Sequence, residues 1–172
     1  AENVAEDFGI SRPDQDAFAL RSQQKAAKAQ VNGRLAQEIV PVTIPQRKGD
    51  PLVIDIDEHP RSTTTYEGLK KLRPFVKADG TVTAGNASGV NDGSAALVLS
   101  TKEAAEKHGL KPIARVLGGA TAGVAPRIMG FGPAPASRKL LARLGLRQEE
   151  FAVIEVNEAF ASQGLATLRN LG

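Results

Sequence analysis

Residues 151–160 read Phe151-Ala-Val-Ile-Glu-Val-Asn-Glu-Ala-Phe160, an apolar run interrupted by an Asn-Glu pair. Phe151 to Val156 is rich in β-branched side chains and short enough for a buried strand, while Phe160, Leu165 and Leu168 recur at near-helical spacing. The segment is therefore expected to be a strand running straight into a helix over Ala161 to Leu171. That places Asn157 at the C-terminal edge of a sheet beside a helix N-terminus, where unpaired N–H groups and the helix dipole favour a developing negative charge. An uncharged amide there can orient a water or an oxyanion without titrating. Helix capping is the competing role, because Asn is among the best N-cap residues.

Working back from this run, the order from residue 95 onward alternates. Ala95 to Leu99 reads as a strand, Thr101 to His108 as a helix closed by Gly109, Ile113 to Leu117 as a strand, and Arg138 to Leu144 as a helix. Met129-Gly-Phe-Gly-Pro-Ala-Pro-Ala-Ser137 reads as the loop feeding that last helix. Alternating strands and helices argue for an α/β layered sheet. Residues 1–80 differ, reading as a separate, irregular, helix-rich subdomain. A helix closes at Gly9, and Ser11 caps a long one that carries Pro13 in its first turn and ends near Gly33. Glu38 to Ile44 and Leu52 to Ile56 form a hairpin or edge pair around Lys48-Gly49-Asp50, and Thr63 to Leu72 forms a short helix stopped by Pro74.

The most unusual composition lies in Thr81-Val-Thr-Ala-Gly-Asn-Ala-Ser-Gly-Val-Asn-Asp-Gly-Ser-Ala95. So many Gly, Asn and Asp residues predict tight turns and close approach of the backbone to something. A nucleotide loop is excluded by context, since neither phosphate-loop spacing is present and the run precedes a strand where it should follow one. Asp55, Asp57 and Glu58 lack the glycine and terminal glutamate of a calcium loop, so they read as a solvated strand face.

Composition narrows the function classes. The 172 residues are 41% hydrophobic and 24% charged, enough for one ordinary core or two small ones. No apolar run approaches the length of a membrane span, nothing resembles an export signal, and a cytoplasmic setting is the default expectation. The chain has no cysteine, which removes disulfides, thiolate metal sites and a cysteine nucleophile from these residues. Its histidines, His59 and His108, lie in polar contexts and read as surface residues, so no metal site is expected. Net charge is +3, basic residues are scattered, and there are six Phe and one Tyr; nucleic-acid binding is not expected. The only methionine is Met129, so the chain reads as an internal piece of a longer polypeptide.

Four stretches together resemble the thiolase family: Ala1-Glu-Asn-Val-Ala5, Thr83-Ala-Gly-Asn-Ala-Ser-Gly-Val-Asn-Asp-Gly93, Met129 to Ser137, and Asn157-Glu-Ala-Phe160. Within it, Ile44-Pro-Gln-Arg-Lys-Gly-Asp50, Asp57-Glu-His-Pro-Arg61 and Arg127-Ile-Met-Gly-Phe-Gly132 look most like the β-ketoadipyl-CoA (3-oxoadipyl-CoA) thiolases of aromatic degradation. The resemblance implies an α/β, layered αβαβα fold, here partial. Residues 1–90 would be the later part of an inserted loop domain, 91–112 the last strand and helix of a first half, and 113–172 the start of a second.

The implied reaction is reversible Claisen cleavage of a 3-oxoacyl-CoA by CoA through an acyl-enzyme on cysteine, with a histidine and a second cysteine moving protons. In the family pattern that cysteine precedes Ala1, and the other two follow Gly172. The chain alone is therefore expected to be inactive. By the same resemblance Asn157 positions the water that stabilises the thioester oxyanion. Arg61 lies near the adenine and phosphate end of CoA. Ala84, Gly85 and Ser88 hold the pantetheine arm, and Met129, Ala159 and Phe160 line the thioester pocket. Val76 departs from the aromatic residue often found there. CoA and acyl-CoA enter as substrates, no cofactor is held covalently, and a homo-oligomer, dimer or tetramer, is implied. A non-catalytic CoA- or lipid-binding or scaffold protein on the same fold is the alternative, separated by whether the parent chain carries the missing cysteines and histidine.

Overall fold

Local backbone chemistry marks most element ends. A computed structural model describes all residues, 1–172. Helix α1 spans Glu2–Asp7 and α2 spans Arg12–Val31. Each is followed by a glycine in the left-handed region, Gly9 at φ 60° and Gly33 at φ 75°, a conformation that costs a Cβ-bearing residue more than glycine. After α1 the Ile10 N–H reaches back to the Ala5 carbonyl at 2.8 Å, which satisfies a carbonyl the helix leaves open. At the start of α2, the Ser11 hydroxyl accepts the Asp14 N–H at 3.2 Å. Thr65 caps α3 (Tyr66–Lys70) and Thr101 caps α4 (Lys102–Lys107) in the same way.

Helix α5 runs Pro133–Leu144 and starts earlier than Arg138, where the sequence placed it. Pro133 and Pro135 fall in its first turn, where a missing N–H costs nothing because those groups have no intrahelical partner. The Gly-Pro stretch is thus partly helix, preceded by a 3₁₀ segment at Pro126–Phe131. Helix α6 runs Ala161–Leu171.

The core lies where α1, α6 and the 3₁₀ segment meet. Val4, Ala5, Ile10 and Ala166 are buried together, with Phe8, Ile128, Phe131 and Leu165 packed around them. The Phe8 and Phe131 rings stack at 4.2 Å between centroids. Helix α6 also presses on α2: a Cβ added at Gly164 would lie 3.0 Å from Cζ of Phe18. Residues 1–80 are therefore not packed apart from the C-terminal stretch. Exposed ion pairs fasten the same contacts, Arg169 to Asp14 at 2.8 Å and Arg127 to Asp7 at 3.0 Å. Hydrogen bonding from Arg169, aided by Ser11, holds the Asp14 carboxyl below its ordinary value of 3.8. Hydrogen bonding from Arg127 does the same for Asp7 and raises the guanidinium in turn.

The expected hairpin forms as two short antiparallel strands, β1 (Val42–Ile44) and β2 (Leu52–Ile54), with Val42 opposite Ile54. The strands expected at 95–99, 113–117 and 151–156 are not paired. Their apolar side chains stay in solvent, with Val98 at 87%, Ile113 at 102% and Val153 at 71% exposure. A strand is defined by a neighbour's N–H and C=O groups, and these runs form no ladder with another segment of this chain. The three expected strands are therefore absent as strands, and the expected layered sheet is reduced to the β1–β2 hairpin within these residues.

Candidate functional site

Asn86 is the hub of the glycine-rich loop. It is buried at 4% exposure, in a turn where its Oδ1 accepts the Thr83 N–H at 2.8 Å. Its Nδ2 donates to Asp16 Oδ1 at 3.1 Å and to the Thr81 carbonyl at 3.0 Å. Asp16, on α2 and fully buried, accepts from Arg12 Nε at 2.7 Å as well. Arg12 then donates to the carbonyls of Leu69 and Leu72 at the end of α3, where a cation meets open carbonyls and the negative end of the dipole.

A second buried carboxylate anchors the start of the loop. Glu2 accepts the N–H groups of Thr81 and Val82 at 2.7 and 2.6 Å and the Thr81 hydroxyl at 2.9 Å. Buried charge is tolerated only where hydrogen bonds replace its hydration, and both carboxylates meet that condition. Gln15 ties α2 to the same point through Thr81 Oγ1 at 2.9 Å.

The far end of the loop meets residues 159–161. The Ser88 N–H donates to the Ala159 carbonyl, and the Ala161 N–H to the Asn86 carbonyl, both at 2.9 Å, making an antiparallel bridge centred on Ala87 and Phe160. The Ala161 bond satisfies a first-turn donor of α6, whose N-cap is Phe160 and has no side-chain cap. The helix-capping role weighed for Asn157 is thereby removed. Asn157 stands outside the helix with an exposed side chain, lining an open cleft of about 590 Å³ with Ser22, Lys25, Ala26 and Ala29 of α2. Glu158 beside it accepts the Ser22 hydroxyl at 2.5 Å.

The remaining predicted residues fall in two groups. Ala84, Gly85 and Ser88 share the loop with Asn86, and Ala159 and Phe160 are joined to it by the bridge. Arg61 and Met129 come from other segments. Arg61 is exposed, with its N–H held by Gln23 of α2 at 2.7 Å, and Met129 is 75% exposed in the 3₁₀ segment.

Gly85 and Gly89 of this loop are required for closeness, and not for left-handed backbone, since neither has positive φ; Gly93 faces open space. A Cβ at Gly85 would meet Leu69 Cδ2 at 2.5 Å and Leu72 Cδ1 at 2.6 Å, so on this side the loop packs directly against the end of α3 and the residues after it. At Gly89 a Cβ would meet His59 Cε1 at 2.7 Å. His59 is exposed, as expected, yet it packs on the loop, which its polar context gave no reason to foresee.

Sequence reasoning missed the holders of the site: Glu2, Arg12, Gln15, Asp16 and Asn86. The signal available was weak, namely acidic and amide residues on the inward faces of α1 and α2, where apolar side chains are the rule. No group of three or more His, Cys, Asp or Glu side chains is arranged to hold a metal ion. No helix is long and apolar enough to cross a membrane.

Comparisons with known proteins bear on this arrangement. The family models described as "Thiolase, N-terminal domain" and "Thiolase, C-terminal domain" match residues 1–103 and 110–172. The chain is 68% identical to β-ketoadipyl-CoA thiolase of Pseudomonas aeruginosa over 172 residues, covering 100% of this chain and 43% of that protein. It is 56% identical to the 3-oxoadipyl-CoA/3-oxo-5,6-dehydrosuberyl-CoA thiolase of Escherichia coli, with the same coverage. Among solved structures, Bacillus anthracis acetyl-CoA acetyltransferase superposes with a TM-score of 0.91 at 49% identity, covering 99% of this chain and 43% of that one. Human mitochondrial 3-ketoacyl-CoA thiolase gives the same TM-score and coverages at 44% identity. The chain thus spans less than half the length of the relatives it matches.

Proposed function

The chain belongs to the thiolase family, and from that premise we propose that it supplies the CoA-binding and oxyanion-water part of an enzyme that cleaves 3-oxoacyl-CoA with CoA. The acyl chain we assign is 3-oxoadipyl, giving succinyl-CoA and acetyl-CoA, because the names of the most similar relatives converge on that substrate. The nucleophilic cysteine and the groups that move protons come from outside these residues, so the 172-residue chain alone turns nothing over. The partners are CoA and acyl-CoA, and the enzyme works as a homo-oligomer. The bare apolar strand segments support this reading of a surface that other strands cover.

In this reading the backbone bridge between Asn86–Ser88 and Ala159–Ala161 carries the argument. It sets the loop assigned to the pantetheine arm, through Ala84, Gly85 and Ser88, against the segment that bears Asn157, Ala159 and Phe160. Asn157 holds a water toward the thioester oxygen as charge develops there, and losing such a donor costs about 10²–10³ in rate. Arg61 faces the phosphate end of CoA, and Met129 closes the acyl side. Residues 1–90 act as the later part of a loop domain, 91–112 as the end of the first half and 113–172 as the start of the second.

The test is a chimera in which this chain replaces the matching stretch of the Pseudomonas aeruginosa enzyme. CoA-dependent loss of 3-oxoadipyl-CoA is expected. A folded chimera that cleaves no 3-oxoacyl-CoA of any chain length contradicts the proposal.

A further inference from the structure

Asn86 is the one residue whose side chain is bonded to α2 and to the loop while its own carbonyl holds α6. Through Nδ2 it reaches Asp16, through Oδ1 it fixes the Thr83 N–H, and its carbonyl takes the Ala161 N–H. Two residues on, Ser88 makes the companion bond to Ala159. We infer that Asn86 and Asp16 form a positioning pair that sets the register between the substrate loop, Ala84 to Ser88, and the segment carrying Asn157. The inference rests on the acyl-transfer reading for what the register serves, but the register itself stands on geometry alone.

The physical case is one of buried polar groups that satisfy one another. Asp16 is fully buried and Asn86 nearly so. Removal of either leaves unpaired groups away from water, and such a penalty is borne locally if another arrangement of the loop can reach solvent. The loop has that alternative, because residues beyond Gly89 are exposed. Loss of the amide therefore frees the loop and releases Ser88 from Ala159, with α5 untouched. A charged group at position 86 does worse: in Asn86→Asp two carboxylates face each other across the 3.1 Å contact. Converting the partner, Asp16→Asn, returns a donor to that contact while the new carboxylate still faces the Thr81 carbonyl at 3.0 Å, so the swapped pair restores part of what the single charge breaks.

The experiment is amide hydrogen exchange on the chimera, read at Ser88 and Ala161, with Leu146 at the end of α5 as a remote reference. Asn86→Ala is expected to speed exchange at Ser88 and Ala161 by on the order of tenfold or more with Leu146 unchanged. Asn86→Asp is expected to exceed that, and the Asp16→Asn/Asn86→Asp double variant to fall back toward the wild-type rate. Wild-type exchange at Ser88 and Ala161 in Asn86→Ala overturns the inference, as does equal acceleration at Leu146. If the single variants unfold, the double variant decides, and failure to recover exchange protection also overturns it. In the chimera, Asn86→Ala is expected to raise KM for CoA and lower kcat together, with recovery in the swapped pair. An unmodified chimera without activity would defeat the acyl-transfer reading while leaving the exchange result to judge the pair on its own.

Discussion

The Glu2 carboxylate accepts the Val82 N–H at 2.6 Å, joining the first turn of the first helix to a residue 80 positions away. The same carboxylate takes the N–H and hydroxyl of Thr81, so one side chain sets where the glycine-rich loop begins. Glu2→Ala strips acceptors from a buried cluster, and a destabilisation of about 2–4 kcal/mol is expected in urea unfolding. Glu2→Gln keeps an acceptor and is expected to cost about half as much. Equal stability of Glu2→Ala and wild type would show the contact to be incidental.

Gly89→Ala forces a methyl group against the His59 ring, whose nearest atom lies 2.7 Å from the added carbon. A loss of about 1–2 kcal/mol is expected, and His59→Ala in the same chain should recover part of it, the rest staying with Asn91 Oδ1 at 2.9 Å from the added carbon. Thermal unfolding of the single and double variants measures both effects. Additive losses would place the strain elsewhere.

Asp14 and Asp7 give the chain an acid-sensitive seam. Each has a folded-state pKa depressed below 3.8 by its arginine. Their contribution is therefore complete above the unfolded value and is lost as pH falls through the still lower folded value. The pairs are exposed and salt weakens them. Unfolding followed between about pH 6 and pH 2 should show Arg169→Ala losing the part of the acid slope that Asp14 supplies. An unaltered slope contradicts the linkage.

Asn157 caps no helix, because Phe160 occupies that position and Asn157 stands in solvent. Asn157→Ala should consequently change stability by no more than about 0.5 kcal/mol. In the chimera it should lower turnover by about 10²–10³ while CoA affinity changes little. Unchanged turnover would deny it the oxyanion role, and a large stability loss would reveal contacts absent from this structure.

Legibility from sequence followed the range over which each feature is determined. Helix ends at Gly9, Gly33 and Gly109 and the cap at Ser11 depend on neighbours a few residues away, and they stand where the residues indicated, whereas α3 is shorter than the expected Thr63 to Leu72 because Thr65 caps it. Helix α5 begins before Arg138 because a first turn admits Pro133 and Pro135, although the stretch reads in sequence as the loop feeding the helix. The strand composition of 95–99, 113–117 and 151–156 is visible, but pairing is a non-local property and these runs are not paired in this chain. The glycine-rich loop was recognised for its closeness, yet the groups it approaches, Leu69, Leu72 and His59, could not be named. Asp16 and Asn86 lie 70 positions apart, and nothing in either residue's local sequence announces the other.

Cleavage of 3-oxoadipyl-CoA by the chimera, followed as CoA-dependent formation of succinyl-CoA and acetyl-CoA, tests the assignment most directly. Turnover comparable to the intact Pseudomonas aeruginosa enzyme, largely lost in Asn157→Ala, is the predicted result. A folded chimera that binds CoA and yields neither product would contradict it.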